Sequence, residues 1–169
     1  EIARHIAAKH HTHALGSVEE LADDADAVSI VTPTVTHFEL AKMFLARGKH
    51  VLVEKPMTDN TEQAAELIQL AQQNNCVLQV GHVERFNPVF NYLETVVTEP
   101  RFIETHRLSP YPARSTDIGV VLDLMIHDID IILSLVRAEV AEVRASGVRV
   151  LTDSVDIANA RIEFTDGCV

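Results

Sequence analysis

Two motifs in this sequence combine residues that can carry protons. Lys55 stands between Glu54 and Pro56, directly after the apolar run 50–53, which predicts a buried strand. A lysine at the end of such a strand is partly removed from water, which makes proton transfer feasible, and the following proline restricts where it points. Asp123 and His127 are four residues apart in a predicted helix and therefore share a face. The carboxylate can then orient the imidazole or stabilise its cation, as a general acid–base histidine requires.

Both motifs also have simpler interpretations. Glu54 and Lys55 can be a surface ion pair that ends a strand. Asp123 and His127 can be a buried pair that satisfies its own hydrogen bonds, or can cap a neighbouring loop. A further alternative adds Asp130, which lies on the same face, and gives a divalent metal site for a lyase or hydrolase. The sequence contains no second group of ligands that supports such a site, so we predict no bound metal.

Polar residues also follow the predicted strand at 27–31. They are Thr32, Pro33, Thr34 and His37. In open α/β sheets ligands bind at the carboxyl ends of the strands, where threonine hydroxyls and the free N–H groups of the next helix can meet them. The alternative is that Thr34 or Thr36 only caps that helix.

A similar group follows the predicted strand at 77–80. The segment 81–88 contains His82, Arg85 and Asn87, which are candidate ligand contacts at the same edge of the sheet. Asn87 precedes Pro88, and this pair is also typical of a helix start, so Asn87 can be only an N-cap.

Alternating strand and helix patterns must position these residues. Strands are predicted at 27–31, 50–54 and 77–80, with helices at 38–45 and 61–74 between them, which indicates right-handed parallel β-α-β units. The strands are almost wholly apolar, so we expect helices on both faces of the sheet. A helix is also predicted within residues 1–13. Ser17 begins a capping box, Asp59 or Asn60 caps the helix at 61–74, and Gly48 ends the helix before it.

The pattern changes after Gly81. We predict a helix at 87–97, a half-exposed strand at 101–109, a loop at 110–117 and a helix at 119–135. Two further strands are predicted at 140–151 and 157–164, followed by a turn at Asp166 and Gly167. The chain is thus expected to be an α/β protein whose second half forms a different kind of sheet.

Composition narrows the possible functions. The formal net charge of −11 disfavours binding to nucleic acid or to an anionic membrane surface. No apolar run reaches the ~20 residues that span a bilayer. The two cysteines are far apart and have no metal-binding or disulfide spacing, which fits a reducing compartment.

The order and spacing of the motifs resemble the Gfo/Idh/MocA oxidoreductases over essentially the whole chain. The shared pattern is T-P-x-x-x-H at 32–37, E-K-P at 54–56, G-x-x-x-R-F-N-P at 81–88 and D-x-x-x-H at 123–127. The segment 81–88, together with Ser109-Pro110-Tyr111-Pro112 and Arg114, is most similar to a bacterial subgroup that includes UDP-N-acetylglucosamine 3-dehydrogenases.

This resemblance implies a fold and an activity. It implies a partial Rossmann parallel sheet, followed by part of a C-terminal α/β domain with an open, mostly antiparallel sheet. Residues 1–84 would be the C-terminal portion of the dinucleotide-binding domain, and residues 85–169 the start of the substrate and oligomerisation domain. The implied reaction moves a hydride between NAD or NADP and a ring hydroxyl of a sugar, nucleotide-sugar or cyclitol. The alternative is a non-catalytic member that senses a sugar or the cofactor.

The resemblance also assigns roles to residues. The family's catalytic lysine, aspartate and histidine fall on Lys55, Asp123 and His127. The cofactor contacts fall on Thr32, Pro33, Thr34, His37, Glu54, Lys55 and Arg85. The substrate contacts fall on His82, Asn87 and Arg114.

One family motif has no counterpart in this sequence. The six glycines never form G-x-G-x-x-G, and in the family this loop and the acidic residue that reads the ribose would lie before residue 1. We therefore expect a fragment at both ends that binds the cofactor poorly by itself, because its pyrophosphate lacks a helix N-terminus. The parent is expected to be cytoplasmic, and to form a homodimer or homotetramer through the C-terminal sheet.

Overall fold

A computed structural model describes residues 1–110 and 118–169 of the chain. The predicted α/β class is confirmed, with a three-stranded parallel sheet and a separate two-stranded antiparallel sheet. No helix within these residues is long and apolar enough to cross a membrane. The helices are α1 (Ile2–Lys9), α2 (Val18–Asp24), α3 (His37–Ala46), α4 (Thr61–Gln73), α5 (Pro88–Val96) and α6 (Ile126–Leu135). The strands are β1 (Ala27–Ile30), β2 (His50–Val53), β3 (Leu78–Val80), β4 (Val140–Val148) and β5 (Ile157–Phe164).

Local capping signals set the helix boundaries, as predicted. The side chains of Ser17, Asn60 and Asn87 accept hydrogen bonds from the first turns of α2, α4 and α5. Glu20 completes the turn before α2 by accepting a bond from the N–H of Gly16, one residue earlier than a capping box requires. Gly48 has φ 72° and ends α3, because this left-handed conformation carries little penalty without a Cβ.

The parallel sheet has the strand order β1-β2-β3 and a core on one face. Ile30 pairs with Val53, and Val53 with Val80, so all three carboxyl ends lie at one edge. Val28, Ile30, Val51 and Val53 point into a buried cluster. Their helical neighbours come from α2, α3 and α4, and are Ala22, Ala41, Phe44, Leu45, Leu67 and Ala71.

The prediction that helices cover both faces of this sheet is wrong for the described residues. Burial alternates strictly along β1 and β2, and leaves Ala27, Ser29, His50 and Leu52 exposed. Leu52 retains 40% of its accessible surface. The apolar runs in the sequence hid this alternation, because Ala27 and Leu52 are apolar residues on the open face.

The second half of the chain begins with α5 and then departs from prediction. Residues 101–110 form no strand in the structure, although their residues alternate. A strand needs a ladder partner, and among the described residues this segment pairs only with Val169, through Ile103 and Arg101. A π-helical turn (Val121–Met125) leads into α6.

The antiparallel pair β4-β5 follows α6. The predicted strand at 140–151 ends early, at Val148, because the Asp156 carboxylate accepts the N–H groups of Val150, Leu151 and Thr152. These donors are therefore unavailable to the ladder. The predicted turn is confirmed at Gly167, which has φ 84° and donates its N–H to Phe164.

Candidate active site

The carboxyl edge of the parallel sheet carries most of the candidate residues. Residues 32–37 follow β1, Glu54 to Pro56 follow β2, and residues 81–88 follow β3. A 3-10 turn (Thr34–Thr36) leads from β1 into α3, and a second one (Val83–Phe86) leads from β3 towards α5. The topology thus brings three separate sequence motifs to one edge, as the strand pattern predicted.

Lys55 connects this edge to the helix that carries Asp123. Its Nζ lies 2.6 Å from the main-chain oxygen and 3.0 Å from the Oδ1 of Asp123. The two side chains retain 18% and 24% of their exposure, so the ion pair is only partly shielded from water. Asp123 lies at the centre of the π-helical turn, a feature that often occurs at functional sites. The E-K-P and D-x-x-x-H motifs are therefore in direct contact.

The structure changes the predicted role of Asp123. From their spacing we expected its carboxylate to orient His127, but the carboxylate contacts the ammonium of Lys55 instead. The Nδ1 atom of His127 is buried and has no hydrogen-bond partner among residues 1–110 and 118–169. Lys55, which follows β2, binds the carboxylate of Asp123 because an ammonium attracts a carboxylate more strongly than a neutral imidazole does.

The surroundings of His127 favour its neutral form. Burial lowers the pKa of His127, and the positive charges of Lys55 and Arg107 lower it further, whereas Glu84 and Asp128 act in the opposite direction. An imidazole with a lowered pKa is unprotonated at neutral pH and can accept a proton.

His37, which the resemblance predicts as a cofactor contact, is buried in the structure. It keeps 1% of its accessible surface. Its Nδ1 lies 2.8 Å from the carbonyl oxygen of Pro56, and its Nε2 lies 2.8 Å from that of Thr32. Both partners are carbonyl acceptors, so a ring nitrogen that carries a proton donates to the carbonyl that it faces. His37 therefore ties the end of β1 to the segment after Lys55, and acts on the site through the backbone.

The threonines after β1 do not cap the helices that follow them, which rules out the simpler interpretation. Thr36 is the N-cap of α3 but makes no side-chain capping bond. Its hydroxyl lies 2.7 Å from the Thr32 hydroxyl and 2.8 Å from the Pro33 carbonyl oxygen. Thr34 is buried, whereas Thr32 and Pro33 are exposed at the edge of the sheet. These contacts fold the turn back on itself and leave Thr32 and Pro33 accessible.

Arg85 and Asp130 form a second link between the sheet edge and α6. The Nε and an Nη of Arg85 lie 2.6 to 3.1 Å from both carboxylate oxygens, and this charged hydrogen bond raises the pKa of Arg85. The Nδ1 of His82 lies 3.9 Å from the same carboxylate. Asp130 is thus engaged by Arg85, and Asp123 by Lys55. The described residues form no cluster of three or more potential metal ligands, which weakens the metal-site alternative.

Comparisons with known proteins identify the family. A model described as the oxidoreductase family with an NAD-binding Rossmann fold matches residues 1–82, and the GFO/IDH/MocA C-terminal domain matches residues 94–169. The chain belongs to the Gfo/Idh/MocA family.

Several family members resemble the chain over most of its length. The UDP-N-acetylglucosamine 3-dehydrogenase of Acidithiobacillus ferrooxidans is 45% identical over 100% of this chain and 54% of the relative. Its solved structure superposes with a TM-score of 0.92 over 98% of this chain and 55% of that chain. An NAD⁺-dependent scyllo-inositol 2-dehydrogenase of Bacillus subtilis is 30% identical over 84% of this chain and 46% of the relative. The chain therefore spans about half the length of these relatives.

The predicted substrate contacts of this Gfo/Idh/MocA chain are His82, Asn87 and Arg114, and one of them has another role in the fold. Asn87 is the N-cap of α5: its Oδ1 accepts a bond from Val89, and its Nδ2 lies 3.3 Å from Glu84. Its amide is thus already used in the fold. Arg114 lies outside the residues that the structure describes. His82 remains at the sheet edge, beside Asp130.

Arg107 lies at the site, although no motif in the sequence indicates it. It donates two hydrogen bonds of 3.0 Å to the carboxylate of Asp128, the residue after His127, and this contact raises the pKa of Arg107. Its charge also acts on His127. The local sequence around Arg107 predicts only a half-exposed strand, so no signal in the sequence could have paired it with α6.

Proposed function

We propose that the whole protein containing this chain is an NAD(P)-dependent dehydrogenase that oxidises a ring CH–OH group of a sugar, nucleotide-sugar or cyclitol. The observation that carries the proposal is the contact between Lys55 and Asp123. It brings a cation from the end of β2 into the same site as His127, an imidazole whose environment keeps it neutral. A cation and a neutral base side by side suit the oxidation of an alcohol, which loses a proton and develops a carbonyl.

The residues at the sheet edge fit a nicotinamide cofactor. Thr32 and Pro33 are exposed after β1, Glu54 and Lys55 follow β2, and His127 has a buried nitrogen that no described residue satisfies. The cofactor, when bound, supplies the hydride acceptor or donor. We assign its nicotinamide side to Glu54 and Lys55, and leave both NAD and NADP as candidates.

Proton transfer is assigned to this chain's own residues. His127 accepts the proton of the substrate hydroxyl as the carbon loses its hydride. The Lys55 ammonium, held by Asp123, polarises the oxygen as it becomes a carbonyl. Asp123 therefore acts on Lys55 rather than on the imidazole.

Among possible substrates we favour a nucleotide-sugar. The support is the 45% identity with a relative named UDP-N-acetylglucosamine 3-dehydrogenase, compared with 30% for the inositol dehydrogenase. The residue that we assign to the substrate side is His82, next to Asp130.

Substitutions of Lys55 and His127 test this proposal. In the whole protein, Lys55→Ala and His127→Ala should each lower the turnover number by about 10²- to 10⁴-fold, because each removes a positioned acid–base or charged group. NAD(P)H production is followed by absorbance with UDP-sugars, free sugars and cyclitols. Lys9→Ala and His10→Ala, at exposed positions of the α1 region, are matched controls. Unchanged turnover in both site variants on an active substrate would contradict the roles, and no activity in the wild-type protein would contradict the function.

We also propose that the whole protein is cytoplasmic, for which the two free cysteines are the support, and that it forms a homodimer or homotetramer through its C-terminal sheet. The support for this assembly is β4, whose residues are all exposed, and the apolar side chains Val140, Val143 and Ile157, which retain 44% to 58% of their surface. Sedimentation analysis of the whole protein, with Val143→Glu as the variant, measures the assembly. A wild-type protein that sediments as a monomer would contradict the proposed assembly.

A further inference from the structure

We propose that Gly81 is a positioning residue of the hydride-transfer site, because the space left by its missing side chain holds the carboxylate of Glu54. This inference rests on the proposed function, in which Glu54 lies on the nicotinamide side. Gly81 follows β3, and its N–H donates to the carbonyl of Val53 at 2.8 Å. Glu54 and Gly81 are therefore neighbours across the parallel ladder, one residue beyond the pair Val53–Val80.

The fit between the two residues is close. A Cβ added to Gly81 would lie 3.1 Å from the Cδ, 3.1 Å from the Oε2 and 3.2 Å from the Oε1 of Glu54. All three carboxylate atoms would thus be nearer than normal van der Waals contact allows. The carboxylate lies against the bare Cα of Gly81, and any side chain there would displace it by a few tenths of an ångström.

The backbone does not explain the glycine. Positive φ angles occur at Gly48 and Gly167, but Gly81 is not among the positive-φ glycines. Alanine is therefore compatible with the backbone conformation at Gly81. Position 81 is a glycine because the Glu54 carboxylate lies close to its Cα, and not because a turn requires a positive φ.

The position of this carboxylate bears on Lys55. The Oε2 of Glu54 lies 3.2 Å from the N–H of Lys55, whose ammonium is bound to Asp123. A methyl group at position 81 would occupy the space in which the Glu54 carboxylate lies and would displace it. The displacement would change the proposed nicotinamide side of the site and the contact between Glu54 and the backbone N–H of Lys55. The fold should tolerate this, because the displaced atoms are the end of a flexible side chain.

A double-mutant cycle in the whole protein tests this coupling. Gly81→Ala should lower kcat/KM for the cofactor on the order of tenfold, since a misplacement of about 1 Å at an active site can cost about a hundredfold. In the Glu54→Ala background, the same change should have an effect of less than about twofold, because no carboxylate remains to be displaced. Gly119→Ala is the matched control, since a Cβ there meets its nearest atom at 3.6 Å.

Two further measurements do not depend on turnover. Crystal structures of the cofactor-free protein should show the Glu54 carboxylate displaced in Gly81→Ala and unmoved in Gly119→Ala. The melting temperature of Gly81→Ala should stay close to that of the wild type. Equal losses of kcat/KM in both backgrounds, or an unmoved carboxylate, would overturn the inference. A wild-type protein without dehydrogenase activity would overturn the proposed function, while the crystal structures would still decide the positioning of Glu54.

Discussion

His37 is the residue at which a structural role and a cofactor-binding role predict opposite results. Replacing it with leucine keeps a similar volume but removes both ring nitrogens, so that the carbonyl oxygens of Thr32 and Pro56 lose their partners. Each buried polar group left without a hydrogen bond costs about 1–3 kcal/mol. Because Thr32 is exposed and its carbonyl can bind water, the expected loss of unfolding free energy is that of the buried Pro56 carbonyl, about 1–3 kcal/mol of a typical 5–15 kcal/mol.

Urea unfolding of the whole protein, followed by circular dichroism, measures this loss as a shift of the midpoint. His50→Leu is the matched control. His50 is exposed and accepts a single bond of 2.9 Å from Val77, so its loss should be about 0.5–1.5 kcal/mol. His37→Asn retains a donor near the position of Nδ1 and should recover part of the loss. If His37→Leu shifts the midpoint no more than His50→Leu but weakens cofactor binding, the positioning role is refuted and the direct contact expected from the sequence returns.

The remaining predictions concern charges around the site and in the β4-β5 loop. Arg107→Gln removes a cation that disfavours protonation of His127, so the pKa of His127 rises and the acidic limb of the kcat/KM profile moves to higher pH. Asp128→Asn should move that limb to lower pH, because it removes a carboxylate that favours the protonated ring of His127. Shifts in the same direction in both variants would contradict this electrostatic account. Asp156→Ala should accelerate amide hydrogen exchange at residues 150–152, which lose their acceptor. The pKa of Asp156 is strongly lowered by those bonds, so the stability that they give the wild-type loop should begin to fall below about pH 4 and be lost only as the pH falls through the lowered pKa. Unchanged exchange in Asp156→Ala would refute the role of Asp156.

Much of the fold could be predicted because its signals are local. Ser17, Asn60 and Asn87 cap the helices at the predicted positions, and Gly48 ends α3, since each of these effects depends on residues within one turn. Features that depend on distant partners were predicted less well. Residues 101–109 alternate as a strand does, but pairing requires another segment. Likewise, no local pattern indicates that the residues that the structure describes leave one face of the parallel sheet uncovered.

The candidate site shows the same division between local and distant determinants. The spacing of Asp123 and His127 correctly predicts that both lie on one helical segment. The spacing could not predict that Lys55, 68 residues earlier in the chain, would bind the carboxylate of Asp123. In the same way, the ring of His37 is used by two carbonyl groups, one of them 19 residues away. Sequence motifs therefore indicated which residues gather at the site, whereas their partners were set by tertiary packing.

The helix that carries His127 is held by three carboxylates, each paired with a cation from a different segment. Asp123 binds Lys55 from the end of β2, Asp128 binds Arg107 from residues 101–110, and Asp130 binds Arg85 from the turn after β3. These pairs are partly exposed, so each contributes little to stability by itself. Their value lies in geometry, because charged hydrogen bonds of 2.6–3.1 Å fix how the helix lies against the sheet edge.

This arrangement also explains how an imidazole can remain neutral in an acidic chain. The net charge of −11 would by itself favour protonated histidines. Around His127, however, the nearby carboxylate of Asp128 is paired with Arg107. Burial and the positive charges of Lys55 and Arg107 lower the pKa of His127 by more than Glu84 and Asp128 raise it. The three ion pairs thus dock the helix against the sheet, and in one of them Arg107 also offsets the effect of the Asp128 carboxylate, which by itself would raise the pKa of His127.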